Sequence, residues 1–152
     1  MQSASVRLSF LTAAVLAASL ATGCASVNMA DTTQDAQRKT FSAPADKAGI
    51  YIYRNETMGA AIKMPVAING QVIGETAANT YLYKEVAPGK HEVHSMTGGS
   101  ENKVEVDAKP GTLTYIWQEV KMGLIVAGSK LHLVSPEQGQ KGVKETKLAV
   151  TQ

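Results

Sequence analysis

Cys24 is the only cysteine of the chain and the residue whose chemistry is easiest to place. A lone cysteine cannot form a disulfide within its own chain or build a multi-cysteine metal site. The property of the Cys24 thiol that remains useful is its reactivity as a nucleophile. Before it, Arg7 is the only charge, and residues 8–20 form an apolar run of about 13 residues, shorter than the roughly 20 of a membrane-spanning helix. The pattern predicts a secretory signal peptide over residues 1–23.

The residues next to Cys24 resemble a bacterial lipobox. Ala21, Thr22 and Gly23 precede the cysteine and Ala25 follows it. The resemblance implies transfer of a diacylglyceryl group, with palmitate-type chains, to the Cys24 thiol, then cleavage between Gly23 and Cys24, and attachment to a membrane. Ala25, where inner-membrane lipoproteins carry Asp, favours the periplasmic face of the bacterial outer membrane. The alternative is an ordinary signal-peptide site beside a free cysteine.

No other set of reactive residues converges in the sequence. His91 and His94 are three apart in a predicted strand, so they face opposite sides, and His132 lies between two leucines on a half-buried strand. Glu105 and Asp107 alternate with valines and stand beside Lys103 and Lys109, which is typical of a solvated, salt-bridged strand face. We expect no metal, no cofactor and no catalytic residues, hence a protein that is not an enzyme.

Charge and length exclude further classes of protein. The chain has 152 residues, with 15 Lys and Arg against 13 Asp and Glu, and 44% of its residues are apolar. One domain with a core fits this length and composition, whereas a nucleic-acid binder would carry a clustered basic surplus. We expect no nucleic-acid partner.

Short apolar runs between turn residues predict an all-β domain over residues 47–152, preceded by a flexible tether over residues 24–46 that begins with the lipidated cysteine. Asn69-Gly70 is a strong hairpin signal, because both turn positions require positive φ. Ser135 and Pro136 predict the start of a short C-terminal helix, which Gly139 and Gly142 weaken. The fold class expected is a β-sandwich of about seven strands. These strands are drawn from nine candidate runs, at 50–54, 65–68, 71–74, 81–86, 90–95, 102–108, 112–120, 123–127 and 130–134.

Four tyrosines in two of these runs admit two interpretations. Tyr51 and Tyr53 alternate with isoleucines in the first run, and Tyr81 and Tyr83 belong to the fourth. They line the core, or they form an exposed face that binds another protein, since tyrosine is enriched at interfaces. The sequence alone favours the core.

The turn and strand motifs resemble those of known families. The run Val66–Gly74 with its Asn-Gly turn, followed by Pro88-Gly89-Lys90-His91, resembles the PEGA type of domain. Together with residues 50–54 and 111–118, the pattern is closer still to a bacterial lipoprotein family called domain of unknown function 2846. The resemblance implies a small transthyretin-like sandwich and supplies no catalytic residues.

Three hypotheses for function follow. The first is a non-enzymatic outer-membrane lipoprotein, anchored through acylated Cys24, whose periplasmic sandwich binds an envelope protein. The second is a structural subunit of an envelope or secretion machine, similar to the transthyretin-like lipoproteins of type VI secretion. The third and weakest is a small envelope hydrolase. The sequence does not identify the partner.

Overall fold

The computed structural model describes residues 24–97 and 102–152, so the signal peptide expected over residues 1–23, including Gly23, lies outside the described residues. The described part is mainly strand, with two helices, which confirms the predicted β-sandwich and the short C-terminal helix. Its elements are α1 (Thr32–Arg38), β1 (Ala48–Arg54), β2 (Met64–Ile68), β3 (Gln71–Thr76), β4 (Thr80–Val86), β5 (Gly89–Ser95), β6 (Lys103–Ala108), β7 (Leu113–Met122), β8 (Ala127–Val134), α2 (Pro136–Lys144) and β9 (Lys147–Leu148).

The strands form two sheets. The five-stranded sheet has the order β8-β7-β1-β4-β9, in which β1 runs parallel to β7 and β4 parallel to β9. The four-stranded sheet has the order β3-β2-β5-β6 and is antiparallel throughout. The C-terminal ends of β1 and β7 and the N-terminal ends of β4 and β8 therefore lie at one end of the sandwich, which we call the β1-exit end.

The predicted turns and strands agree with the structure at most positions. Asn69 and Gly70 have φ values of 52° and 80° and connect β2 to β3, which confirms the hairpin. The strand expected at 123–127 is wrong, because β7 extends to Met122 and residues 123–126 form the turn into β8. Strand β9 was missed, since two residues carry no readable alternation.

The space between the sheets is filled by aliphatic side chains. Ile50 and Ile52 of β1 are fully buried there, against residues such as Val66 and Val93 of the other sheet. Tyr51 and Tyr53 alternate with these isoleucines and point to the opposite face, as the two-residue period of a strand requires. Strand β1 is therefore buried on both sides.

The outer face of the five-stranded sheet carries a tyrosine layer, which consists of Tyr51, Tyr53, Tyr81, Tyr83 and Tyr115. Each of the five is at most 5% exposed. The rings of Tyr51 and Tyr115 stack with centroids 5.2 Å apart, and the Tyr51 and Tyr83 rings lie 4.7 Å apart. Helices α1 and α2 cover this layer, so the domain has a third layer outside the sandwich.

Helix α2 packs on the tyrosine layer through its glycines. Ser135 caps its first turn by accepting a hydrogen bond from the amide of Gln138, as the sequence predicts. A methyl group added at Gly139 would lie 2.2 Å from the Tyr115 ring, and one at Gly142 would lie 2.1 Å from the Tyr53 ring. These glycines weaken the isolated helix, but they allow its backbone to approach the rings.

Helix α1 and its flanks correct the extent of the predicted tether. Asp31 caps the helix, and Asp35 accepts a hydrogen bond of 2.8 Å from the Tyr81 hydroxyl. The Tyr51 hydroxyl donates to the Arg38 carbonyl at 2.7 Å. The helix buries no residue of its own, so it has no apolar face for a sequence pattern to reveal. Residues 31–41 belong to the folded domain.

Residues before α1 are also paired. Met29 forms an isolated β-bridge with Ala149, and the Ala30 amide donates to the Leu148 carbonyl at 3.0 Å. This pairing covers the outer edge of β9. No helix among the described residues has the length and apolar character needed to cross a bilayer.

A chain of buried polar side chains connects the two sheets. Gln118 of β7 is fully buried, donates to the Ser95 hydroxyl at 2.6 Å and accepts from the Thr76 hydroxyl at 2.5 Å. Ser129 of β8 donates to Ser95 at 2.6 Å. Because these groups satisfy one another, burying them carries little penalty, and their directional bonds set how the sheets align.

We predict that Gly142→Ala lowers the free energy of unfolding by about 1–3 kcal/mol, because the added methyl overlaps the Tyr53 ring. Helix propensity alone predicts the opposite sign, a gain of about 1 kcal/mol. Urea denaturation followed by circular dichroism measures the difference. Lys141→Ala, on the exposed side of the same helix, is the control and should change little. A more stable Gly142→Ala protein would contradict the packing described here.

We also predict an acid-dependent contribution from Asp35. Burial alone would raise its pKa, but hydrogen bonds from Lys39 and Tyr81, the Lys39 charge and the Leu148 amide lower the pKa below its ordinary value of 3.8. The carboxylate therefore stabilises the fold above that ordinary pKa, and the contribution is lost as pH falls through the lower pKa of the folded state.

Asp35→Asn should accordingly cost about 1–2 kcal/mol at neutral pH, because a charged hydrogen-bond acceptor is lost. The difference in unfolding free energy between this variant and the natural protein should shrink below about pH 4. Denaturation midpoints measured across pH test this, with the exposed Asp46→Asn as control. A deficit that does not change with pH would contradict the role given to the Asp35 charge.

Candidate functional site

Cys24 lies at the β1-exit end of the sandwich and is exposed. The amide of the next residue, Ala25, donates to the Ala60 carbonyl at 2.9 Å, so the start of the described chain is held against the loop that follows β1. Ala25 also lines a shallow depression with residues 77–79, the turn that precedes β4. The thiol is therefore accessible at one end of the domain.

The loop at residues 55–63 is held in place by Arg54. This side chain is fully buried, and its guanidinium donates to the carbonyls of Met58, Gly59 and Ile62 at 2.9, 2.6 and 2.8 Å. Burial lowers the pKa of Arg54, while the charge of Glu56 opposes that shift. Sequence reasoning missed this role. The one available signal was a charged residue closing the apolar run of β1.

Glu56 ties the same loop to β7. Its carboxylate accepts a hydrogen bond of 2.5 Å from the Val120 amide. A methyl group added at Gly59 would lie 3.2 Å from a Val120 methyl group. The loop, and with it the Cys24 segment, therefore has a defined place beside the end of β7.

An apolar groove of about 490 Å³ opens at the edge of β3. Val72 is 40% exposed, Met96 50% and Val150 45%, so apolar side chains form much of its wall. Glu75 is the only ionisable side chain among its described lining residues, and its carboxylate lies 3.9 Å from the Lys63 amine. Its full lining is Val27, Asn28, Pro65, Val72, Gly74, Glu75, Met96, Val150 and Gln152.

The hypothesis of an exposed protein-binding face formed by Tyr51, Tyr53, Tyr81 and Tyr83 is wrong. The structure buries all four under the two helices, as the core interpretation expects. Burial raises the pKa of each hydroxyl, and that of Tyr53 reaches about 12 with a further contribution from the charge of Glu145. These tyrosines hold helices in place and are not available to a partner.

The histidines and carboxylates weighed above remain separate. His91 and His94 occupy positions of opposite parity on the uninterrupted strand β5, and the Asn69 side-chain amide donates to the His91 ring at 2.9 Å. Glu105 pairs with Lys90 at 2.9 Å on the solvated face of its sheet. Among the described residues, no three His, Cys, Asp or Glu side chains lie close enough to hold a metal ion.

His132 contacts an aromatic ring and an acid. Its ring stacks on Trp117 with centroids 4.9 Å apart, and its Nε2 lies 2.8 Å from a Glu119 oxygen. The pair is part of the packing between β7 and β8, because Trp117 and His132 are register partners. Among the described hydrogen bonds of His132, none joins it to a third group that would complete a catalytic triad.

Comparison with known proteins identifies a family. The family described as "Protein of unknown function (DUF2846)" matches residues 44–129, which contain β1 to β7 and both turn motifs noted above. An "Uncharacterized protein" of Haemophilus influenzae strain Rd is 32% identical over 133 residues, covering 87% of this chain and 79% of that relative. No solved structure matches significantly. The chain therefore belongs to the DUF2846 family, as its strand and turn motifs suggested.

Proposed function

We propose that the protein is a lipid-anchored component of the bacterial envelope, held to the periplasmic face of the outer membrane by acylated Cys24. Its β-sandwich acts as a binding or structural module and not as an enzyme. The observation that carries the proposal is the position of the sole thiol, which is exposed at the β1-exit end directly after a segment with the pattern of a lipoprotein signal.

The groove beside β3 supports the second half of the proposal. The described residues of its wall are mostly apolar, with one ionisable side chain, so they provide contact area for a partner but include no acid-base pair or nucleophile for catalysis. The neighbouring edge of β3 is partly covered, since the Gln152 amide donates to the Ile73 carbonyl at 2.9 Å. A partner that binds here would therefore contact side chains and would not extend the sheet at this point.

We expect Cys24→Ser to abolish incorporation of a labelled fatty acid and to remove the protein from the membrane fraction. Serine keeps the size of the side chain but lacks the thiol that receives the lipid. Metabolic labelling and cell fractionation measure both effects. Ser26→Ala, an exposed change two residues away, is the control and should retain label and location. A Cys24→Ser protein that still carries fatty acid would overturn the proposed anchor.

We expect a photo-crosslinking amino acid at Val72, inside the groove, to yield a discrete adduct with an envelope protein in living cells. The same amino acid at Lys90, on the solvated face of the four-stranded sheet, should not form that adduct. Gel mobility and mass spectrometry identify the product. One adduct of defined mass supports a binding module, and several adducts that copurify as a large complex support the subunit of an envelope machine. Equal crosslinking from both positions would contradict a role for the groove.

A further inference from the structure

The turn between β7 and β8 is an exposed apolar tip, by which we mean residues 122–126. Leu124 and Ile125 are almost completely exposed, at 107% and 95%, and Val126 and Met122 are 66% and 62% exposed. Gly123 is the remaining residue, so the tip has no polar side chain. Single exposed apolar residues are common on soluble proteins, but a contiguous group of this kind marks a contact site.

The tip extends past the rest of the sheet. Strand β1 ends at Arg54, and its last register partner on β7 is Trp117, opposite Tyr53. Strands β7 and β8 stay paired as far as Met122 and Ala127. The five residues that follow Trp117, up to Met122, correspond to roughly 16 Å of strand. The tip is therefore a protrusion at the β1-exit end.

The tip and Cys24 lie at the same end of the molecule. The Ala25 amide bonds to Ala60, the adjacent Gly59 packs against Val120, and Val120 is two residues from the start of the tip. The loop that holds the Cys24 segment thus lies beside the base of the protruding hairpin. A membrane that receives lipid chains on Cys24 would face this end of the sandwich.

Charged side chains lie at the base of the tip, and none lies on the tip itself. Lys121 is the first charged residue before it on β7, and Lys130 is the first after it on β8. Glu119 lies farther back, where its carboxylate contacts the Lys121 amine at 2.7 Å. An apolar point on a charged base fits a bilayer surface, where apolar side chains enter the acyl region and charged groups remain in the headgroup layer.

We propose that the apolar tip inserts into the membrane beside the lipidated cysteine and fixes the orientation of the sandwich on the bilayer. This inference rests on the proposed lipid anchor and adds a second, non-covalent contact to it. The tip enters by about 5–10 Å, to the boundary between headgroups and acyl chains. The β1-exit end then faces the lipid, and the opposite end, with the turns at residues 87–88 and 109–112, faces away.

The test uses the full-length acylated protein reconstituted into vesicles of phosphatidylethanolamine and phosphatidylglycerol. Ile125→Cys supplies one free thiol for an environment-sensitive NBD label, since Cys24 is blocked by lipid. We expect lipids with a doxyl group near the headgroup to reduce its fluorescence roughly twofold or more, and lipids with a deep doxyl group to act more weakly. Lys109→Cys, labelled in the same way at the far end, is the control and should not be quenched.

A second variant tests the cause of insertion. Adding Leu124→Asp to the Ile125→Cys protein should reduce quenching to the level of the Lys109→Cys control, because a charge at the tip opposes entry into the acyl region. Leu124 is fully exposed, so this change should leave the fold intact, which thermal unfolding can verify.

The outcomes separate the tip from the anchor. An unquenched label at position 125 on protein that is acylated and bound to vesicles would overturn the tip insertion and leave the proposed anchor standing. A blue-shifted label that lipids do not quench, with a shift that grows with protein concentration, would assign the tip to a protein contact and also overturn insertion. Mass spectrometry that finds Cys24 unmodified would overturn the proposed anchor and this inference with it.

Discussion

Strand β1, in the middle of the five-stranded sheet, is buried on both of its faces, and the rest of the structure depends on this constraint. Strand β1 directs Ile50 and Ile52 into the sandwich and Tyr51 and Tyr53 to the outer face, and no residue of the strand is accessible. The second sheet covers the aliphatic face. The aromatic face needs its own cover, which explains why a small sandwich carries helices outside it.

The two helices cover that face by different physical means. Helix α2 approaches the rings through backbone, which Gly139 and Gly142 make possible because they have no side chain to collide with them. Helix α1 is polar and is attached through the tyrosine hydroxyls, each of which needs a hydrogen-bond partner once buried. Asp35 accepts from Tyr81, and the Arg38 guanidinium lies 4.2 Å from the centre of the Tyr83 ring.

The position of α1 on the sheet also determines where the residues before it lie. Because α1 is held on the sheet, the residues just before it pair with residues 148–150, and farther back Ala25 bonds at the β1-exit end to the loop held by Arg54. An anchor at Cys24 would then leave from a defined end of the domain, close to its protruding apolar hairpin. In the proposed arrangement the tyrosine layer, which is buried under the helices, would act on function indirectly by placing the membrane contact.

Local sequence patterns were sufficient for the strands and most turns. Asn69-Gly70 had to be a hairpin turn because of its backbone requirements, Ser135-Pro136 began the C-terminal helix, and the alternation in β1 separated its isoleucines from its tyrosines. Family resemblance followed from the same motifs, because they report backbone geometry. The candidate anchor at Cys24 was also visible, since a signal segment is read from composition and order alone.

Tertiary structure decided which faces are covered and which are open. Alternation placed the tyrosines on one face of the sheet but could not show that α1 would cover them, because its attachment uses hydrogen bonds between residues about 46 positions apart, as in Asp35 and Tyr81. The clamp by Arg54 was missed for another reason, because its acceptors are backbone carbonyls four to eight residues away, and no pattern of side-chain types reports them. Residues 123–127 resembled a strand because their apolar composition does not show that they lie beyond the end of β7. Short-range patterns determine local backbone preference, whereas burial and exposure depend on what distant parts of the chain bring alongside.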